Sequence, residues 1–360
     1  MNPGPATTTD SVKYAMVVPD ICPREAEFQA VLGEVAHDLV KIAGGGDYVA
    51  VLLAGSGTLG MEACVSSTVA AGKAILVVNN GAYGERFCQI ARAYGIPVVE
   101  FSCPWHERPD LTRLEQVIRS EPSIECIAMV HHETTTGLLN PLAEVGTLAK
   151  AYGRTYIVDA ISSFGGIPFN AADNRIDYLI GTSNKCLQGM AGVTFVICRR
   201  EAIAATAKFP LRSYYVNLYQ QYEFMTRTGQ MLFTAPVQIV YALKQAIREF
   251  FDEGAETRYA RYTRNWQVLR RGLEQMGFKF LLGPDQESHI LTTVIEPNHQ
   301  NYNFKLLHDL LFERGYTIYP SKLKGTQPLG SFRLSVMGDL DHEDINDFLK
   351  EFASVLAATR

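Results

Sequence analysis

A chain of 360 residues, 47% of them hydrophobic, carries enough apolar material for a large buried core without disulfide or metal staples. A formal charge of -5, with no cluster of Lys or Arg interleaved with aromatics, excludes a nucleic-acid groove as a main feature. The 7 cysteines are widely spaced and form no CxxC pair, so they read as buried thiols in a reducing compartment. Met1 to Asp10 contain neither a basic start nor an apolar stretch, and apolar runs such as Val49 to Ala54 are too short to cross a bilayer. A soluble, cytoplasmic protein with no nucleic-acid or membrane partner is expected.

Gly44, Gly45 and Gly46 stop a first helix and open a first strand. Between Tyr48 and Cys198 short apolar, β-branched runs then alternate with helical stretches. The runs are Tyr48 to Leu53, Ala74 to Val78, Val98 to Phe101, Cys126 to Val130, Tyr156 to Val158, Tyr178 to Ile180 and Val193 to Ile197. Several are apolar at nearly every position, as strands covered on both faces must be. The expected fold class is α/β, a mostly parallel central sheet with helices on both faces. From about Tyr259 the pattern changes to a smaller α+β unit, with strands expected at His289 to Ile295, Tyr316 to Tyr319 and Ser331 to Val336. Its last helix is marked by Ile345, Phe348, Leu349, Phe352, Val355 and Leu356 at helical spacing. The expected division is an N-terminal segment, 1–20, packing near the active site, a large domain, 21–258, and a small domain, 259–360.

The first strand runs into Gly55-Ser56-Gly57-Thr58-Leu59-Gly60, followed by a helical stretch. Alone, this matches the G-x-G-x-x-G loop of dinucleotide-binding enzymes. That reading needs an acidic residue at the end of the second strand, which instead ends in Asn79-Asn80-Gly81. An NADP-dependent oxidoreductase remains open on these grounds. Either way, a helix N-terminus with unpaired N–H groups, flanked by the hydroxyls of Ser56 and Thr58, is a place for a phosphate.

The fifth strand ends in Asp159, and the sixth leads through Gly181-Thr182-Ser183-Asn184 to Lys185. Ligands of open α/β sheets bind outside the carboxyl ends of the strands. A carboxylate and an amine therefore converge there, beside a phosphate site. A cofactor with a basic ring nitrogen, an aldehyde and a phosphate needs those three partners. Asp159 could otherwise be a helix cap, and Lys185 a surface lysine.

These stretches, with Asn80-Gly81-Ala82-Tyr83-Gly84 and Glu133-Thr134-Thr135-Thr136-Gly137, occur in an order that resembles the fold-type I (class V) aminotransferases dependent on pyridoxal 5'-phosphate (PLP). The likeness runs from Pro3-Gly4-Pro5 to Phe332-Arg333. The resemblance implies that Ser56, Gly57 and Thr58 bind the cofactor phosphate, with Asn184 also at the cofactor. Tyr83 would stack on the ring, Thr134 would contact its 3-oxygen, Asp159 would hold its nitrogen and Lys185 would form the Schiff base. It further implies that Thr234 reaches the cofactor of a neighbouring subunit in a homodimer with shared sites, and that Arg333 clamps a substrate carboxylate. The substrates it points to are a small amine, 2-aminoethylphosphonate, and the 2-oxo acid pyruvate; amine donors of the alanine-glyoxylate and serine-pyruvate branch are the alternative.

The chain departs from the pattern in places. Leu334-Ser335-Val336-Met337-Gly338 stands where relatives carry a glycine and an asparagine, and Asp20-Ile21-Cys22-Pro23 replaces a tryptophan- and aspartate-rich opening. Pro3 arrives where relatives have a short strand, which suggests a shortened start or a piece of a longer polypeptide. His131-His132-Glu133 lacks any metal-ligand spacing, so no metal is expected. Cys186 is read as structural, and Arg212, Ser213 and Tyr215 as a segment that could face a phosphonate.

Overall fold

The computed structural model describes residues 1–298, 302–321, 323 and 330–358. Its central sheet has seven strands: β1 (Tyr48–Ala54), β2 (Ala74–Asn79), β3 (Val98–Ser102), β4 (Ile124–Val130), β5 (Thr155–Asp159), β6 (Tyr178–Thr182) and β7 (Val193–Arg199). They lie in the order β1-β7-β6-β5-β4-β2-β3. Only β7 runs against its neighbours, pairing antiparallel with β1 and β6. The others are parallel.

Alternate residues of each strand point to opposite faces, and both sets are apolar. Leu52, Leu76, Met129, Val158, Leu179 and Phe195 join one core with the helices Ala26–Ile42 and Val237–Glu253. Leu53, Val77, Ala128, Ile157, Ile180 and Val196 join the other, with Gly57–Thr68 and Ala82–Ala93. Strands buried on both faces explain the unbroken apolar runs of the sequence.

A second, antiparallel sheet contains β8 (Lys279–Phe280), β9 (Leu291–Ile295), β10 (Tyr319–Pro320) and β11 (Ser331–Ser335), in the order β8-β9-β11-β10. Its inner face packs on the helices Ala255–Gln275 and His342–Ala358 through Val294, Phe332, Leu269, Phe348 and Phe352. Two expected strands are shorter than their apolar patterns. His289 has φ 60 and its ring stacks on Trp266 at 4.1 Å, so the strand begins only at Leu291. Tyr316 closes the preceding helix by donating to the Leu311 carbonyl, which delays the next strand to Tyr319.

Among the described residues no helix is long and apolar enough to cross a membrane.

Candidate active site

The carboxyl ends of β1, β2, β4, β5 and β6 open on one edge of the sheet, and each sends a loop there. From β1 the chain turns through Gly55 and Ser56 into the helix Gly57–Thr68, which begins without a side-chain cap. Its first backbone N–H groups therefore point at the crevice, with the positive end of the helix dipole. Gly60 lets this helix lie on the sheet, because a Cβ there would sit 2.7 Å from Thr194 Oγ1 and 2.8 Å from Ile180 Cγ2.

Asp159 ends β5 and is 3% exposed. Among the described residues its carboxyl accepts one hydrogen bond, from the Ile161 N–H at 2.8 Å. Burial, helped by the charge of Glu133, pushes its pKa up to about 7, opposed by that bond and, more weakly, by the charges of Arg86 and Lys185. A carboxyl in this state gains most from a cationic partner.

In the strand register Asp159 faces Ile180 of β6, whose loop carries Lys185. That loop is pinned on several sides. Gln188, at φ 61, donates its N–H to the Lys185 carbonyl, and Gly189 donates to that of Ser183. The Thr182 hydroxyl donates to Asn184 Oδ1 at 2.9 Å, and buried Arg258 donates to the Cys186 carbonyl at 3.0 Å. Lys185 Nζ donates to the carbonyl of Pro3, while the Ala6 N–H donates to the Asn184 carbonyl. Residues 3–6 thus lie directly against the lysine. Gly4, at φ 125, faces its side chain so closely that a Cβ would overlap Nζ.

Tyr83 enters from the first turn of the helix Ala82–Ala93, and Thr134 from the loop after β4, buried to 1%. The carbonyl of Thr134 accepts from Arg333 Nη1 at 3.0 Å, and Arg333 Nη2 donates to the Pro320 carbonyl at 3.2 Å. Arg333 is 5% exposed, and its Nε is buried without a hydrogen-bond partner among the described residues. Desolvation lowers its pKa, and the nearby charges of Tyr83, Glu133 and Tyr319 oppose that. Such an arginine suits an incoming anion.

Lys185, Asp159, Tyr83, Thr134, Arg333 and the Ser56–Thr58 turn are thereby gathered at one edge. Thr234 is exposed and shares no hydrogen bond with them among the described residues. The segment around Arg212 lies elsewhere, which corrects the expectation that it faces a phosphonate. Arg212 caps the far end of the 12-residue helix Gly57–Thr68 by donating to the carbonyls of Ser66 and Val69, and Tyr215 stacks on Phe233 at 4.5 Å. His132 is occupied at both ring nitrogens, donating from Nδ1 to the Ser162 carbonyl and accepting at Nε2 from Ser288. Burial drives its pKa down to about 4 and that of His131 to about 3, so both are neutral hydrogen-bonding residues. Cys186 is buried with its thiol pushed up to about 12, which leaves it inert.

Sequence reasoning passed over Arg86. Its guanidinium donates to Thr58 Oγ1 at 2.9 Å and lies 4.7 Å from the centre of the Tyr83 ring. A signal is present, since Arg86 follows Tyr83 at the i, i+3 spacing that makes side chains neighbours on one helix face. The partner Thr58 was not legible from spacing.

An uncapped helix N-terminus, a buried acid with an oxygen to spare and a lysine on the loop after the next strand fit a group that has a phosphate, a basic ring nitrogen and an amine-reactive aldehyde. The profile of the aminotransferase class-V family matches residues 14–348. A 2-aminoethylphosphonate–pyruvate transaminase of Klebsiella pneumoniae is 40% identical over 353 residues, 97% of this chain and 95% of that protein. The protein of the same name from Salmonella typhimurium is 38% identical over 364 residues, 100% and 98% of the two chains. Among solved structures, the alanine–glyoxylate aminotransferase of Nostoc sp. has a TM-score of 0.90 at 27% identity, covering 99% of this chain and 94% of that one. The ureidoglycine–glyoxylate aminotransferase of Bacillus subtilis has a TM-score of 0.92 at 25% identity, covering 100% and 92%. The oxidoreductase reading of the Gly55 loop gives way to these likenesses. The chain belongs to the class-V aminotransferases, enzymes that work with PLP.

Proposed function

We propose that this enzyme transfers the amino group of 2-aminoethylphosphonate to pyruvate, giving phosphonoacetaldehyde and L-alanine or running in reverse. The convergence of Asp159 and Lys185 at adjacent strand ends carries the catalytic part of the reading. Relatives of that name at 38–40% identity over nearly the whole chain support the substrates.

PLP supplies an aldehyde that binds amines covalently and a ring that withdraws electrons from the bonds of the bound amine. The chain's residues do the rest. Ser56, Gly57 and Thr58 hold the phosphate at the helix N-terminus. Asp159, as a carboxylate, keeps the ring nitrogen protonated. Tyr83 covers one face of the ring, Thr134 contacts its 3-oxygen and Asn184 lies beside it. Lys185 anchors the resting cofactor, and its freed amine takes the proton from the amine-bearing carbon and returns it across the site. Arg333 grips the pyruvate carboxylate. Thr234, exposed in a single chain, serves the neighbouring subunit of a cytoplasmic homodimer. The smaller unit, 259–360, carries Arg333, the larger, 21–258, carries the cofactor, and 1–20 lies against Lys185.

The test is alanine formation from pyruvate with a panel of amines, together with sedimentation of the loaded protein. Alanine forming fastest from 2-aminoethylphosphonate supports the substrate reading. Activity confined to donors such as serine, or to glyoxylate as acceptor, removes it.

A further inference from the structure

The roles above leave the buried carboxylate of Glu133 unassigned. Glu133 is 0% exposed and in no ion pair among the described residues. Its Oε2 accepts from the backbone N–H groups of Tyr83 at 3.1 Å and Gly84 at 3.4 Å. Its Oε1 accepts from the N–H of Thr135 at 3.0 Å and from the Thr135 hydroxyl at 2.5 Å. The Thr135 oxygen in turn accepts from the Ala82 N–H at 3.1 Å.

The donors at Ala82, Tyr83 and Gly84 open the helix Ala82–Ala93, and no residue of that helix can satisfy them. A local cap would normally serve, but the N-cap position here is Gly81, which has no side chain to offer. A Cβ at Gly81 would overlap the Glu133 carboxyl. The cap is therefore tertiary, delivered from the loop after β4. All four partners of Glu133 donate, and these bonds and the helix N-terminus favour its carboxylate against a burial that holds its pKa above the usual range.

We propose that Glu133, supported by Thr135, is a positioning residue that locks the first turn of the Ala82–Ala93 helix and so fixes the Tyr83 ring against the cofactor. This rests on the reading of the Lys185 cluster as the PLP site. One loop then sets two cofactor contacts at once, Thr134 directly and Tyr83 through Glu133. A carboxylate that only stabilised the helix would not act through the ring, which separates the two roles experimentally.

The experiment uses Glu133→Gln, Tyr83→Ala and the double variant. PLP affinity is read from quenching of protein fluorescence, and hydrogen exchange across residues 80–88 from the cofactor-free protein. Glu133→Gln is expected to weaken PLP binding about tenfold, the scale of a lost helix cap, and to speed exchange in the first turn. In the Tyr83→Ala background the same change should cost less than about twofold, because the ring through which it acts is gone. A full tenfold loss in that background, or a Glu133→Gln single variant that binds PLP like the wild type, overturns the role. If Glu133→Gln does not fold, Thr135→Val tests the same lock. It should weaken PLP binding about threefold and expose the Ala82 amide, and unchanged affinity and exchange overturn the proposal. Wild-type protein that binds no PLP would strike the cofactor reading itself, whereas an unaffected Glu133→Gln strikes only Glu133.

Discussion

At the amino edge of the central sheet, Asp177 and Arg199 form a 2.7 Å ion pair, Arg199 also reaches Glu201, and Arg200 reaches Asp47. A cavity of about 440 Å³ opens there, lined by Asp47, Asp177 and Arg199 with Lys150, Arg154 and Arg175. At the carboxyl edge, among the described residues, Asp159 and Glu133 are buried and hydrogen-bonded to backbone or hydroxyl groups without an ion pair, and Arg333 is bound to carbonyls alone. The first edge neutralises its charges among themselves, partly in water. The second keeps Asp159, Glu133 and Arg333 dry and linked to opposite charges only at longer range, an arrangement that ligands of complementary charge relieve. Open volume therefore misdirects here, and charge balance points to the site.

The contrast predicts unequal consequences. Lys185→Ala should lower the rate of alanine formation about a thousandfold, as expected for loss of a general acid–base group; a residual rate within tenfold of the wild type would place the chemistry elsewhere. Arg333→Ala should raise KM for pyruvate about a hundredfold, equivalent to about 3 kcal/mol. Arg333→Lys should restore little of it, because a point charge lacks the planar fork.

Asp159→Asn should weaken PLP binding while making the cofactor-free protein less sensitive to pH. The folded-state pKa of Asp159 is raised from 3.8 to about 7. Its contribution to stability is therefore fully present below the unfolded value and is lost as pH rises through the folded one. From pH 4 to pH 7 the wild type should lose up to about 4 kcal/mol relative to Asp159→Asn. Denaturant titrations of both proteins across that window measure it, and parallel curves would mean that the carboxyl is already ionised.

The smallest effect belongs to the amino edge. Arg199→Ala should cost no more than about 1 kcal/mol of stability, since Arg199 is partly exposed and screened and buried Asp177 keeps its bond from the Tyr156 N–H. Transamination should be unchanged. A large kinetic defect in that variant would break the distinction between the two edges.

The parts of this molecule that could be read from sequence are those governed by local rules. Strands buried on both faces announce themselves as apolar runs, and strand-end rules put Asp159 and Lys185 at one edge of the sheet. The parts that could not be read depend on distant partners. Glu133 caps a helix fifty residues earlier in the chain, and the Pro3 carbonyl meets a lysine 182 residues later. Arg212 was misplaced for the same reason. Its aromatic, polar neighbours look like a ligand wall, yet its guanidinium closes the far end of the very helix whose other end faces the crevice. His289 shows a smaller failure, where a β-like pattern yields to a ring stacked on Trp266.

The antiparallel strand β7 also governs the order in which the protein can assemble. β1 is an edge strand whose only neighbour in the sheet, among the described residues, is β7, with Tyr48 opposite Arg199 and Ala54 opposite Val193. As the polypeptide emerges during synthesis, β1 comes first of the seven strands but must wait for the last. Until that long loop closes, the turn at Gly55 to Thr58 has no fixed place beside Asp159 and Lys185. Such non-local pairings are slow to form. Cofactor capture is thus expected to come late in folding, once β1 has paired with β7.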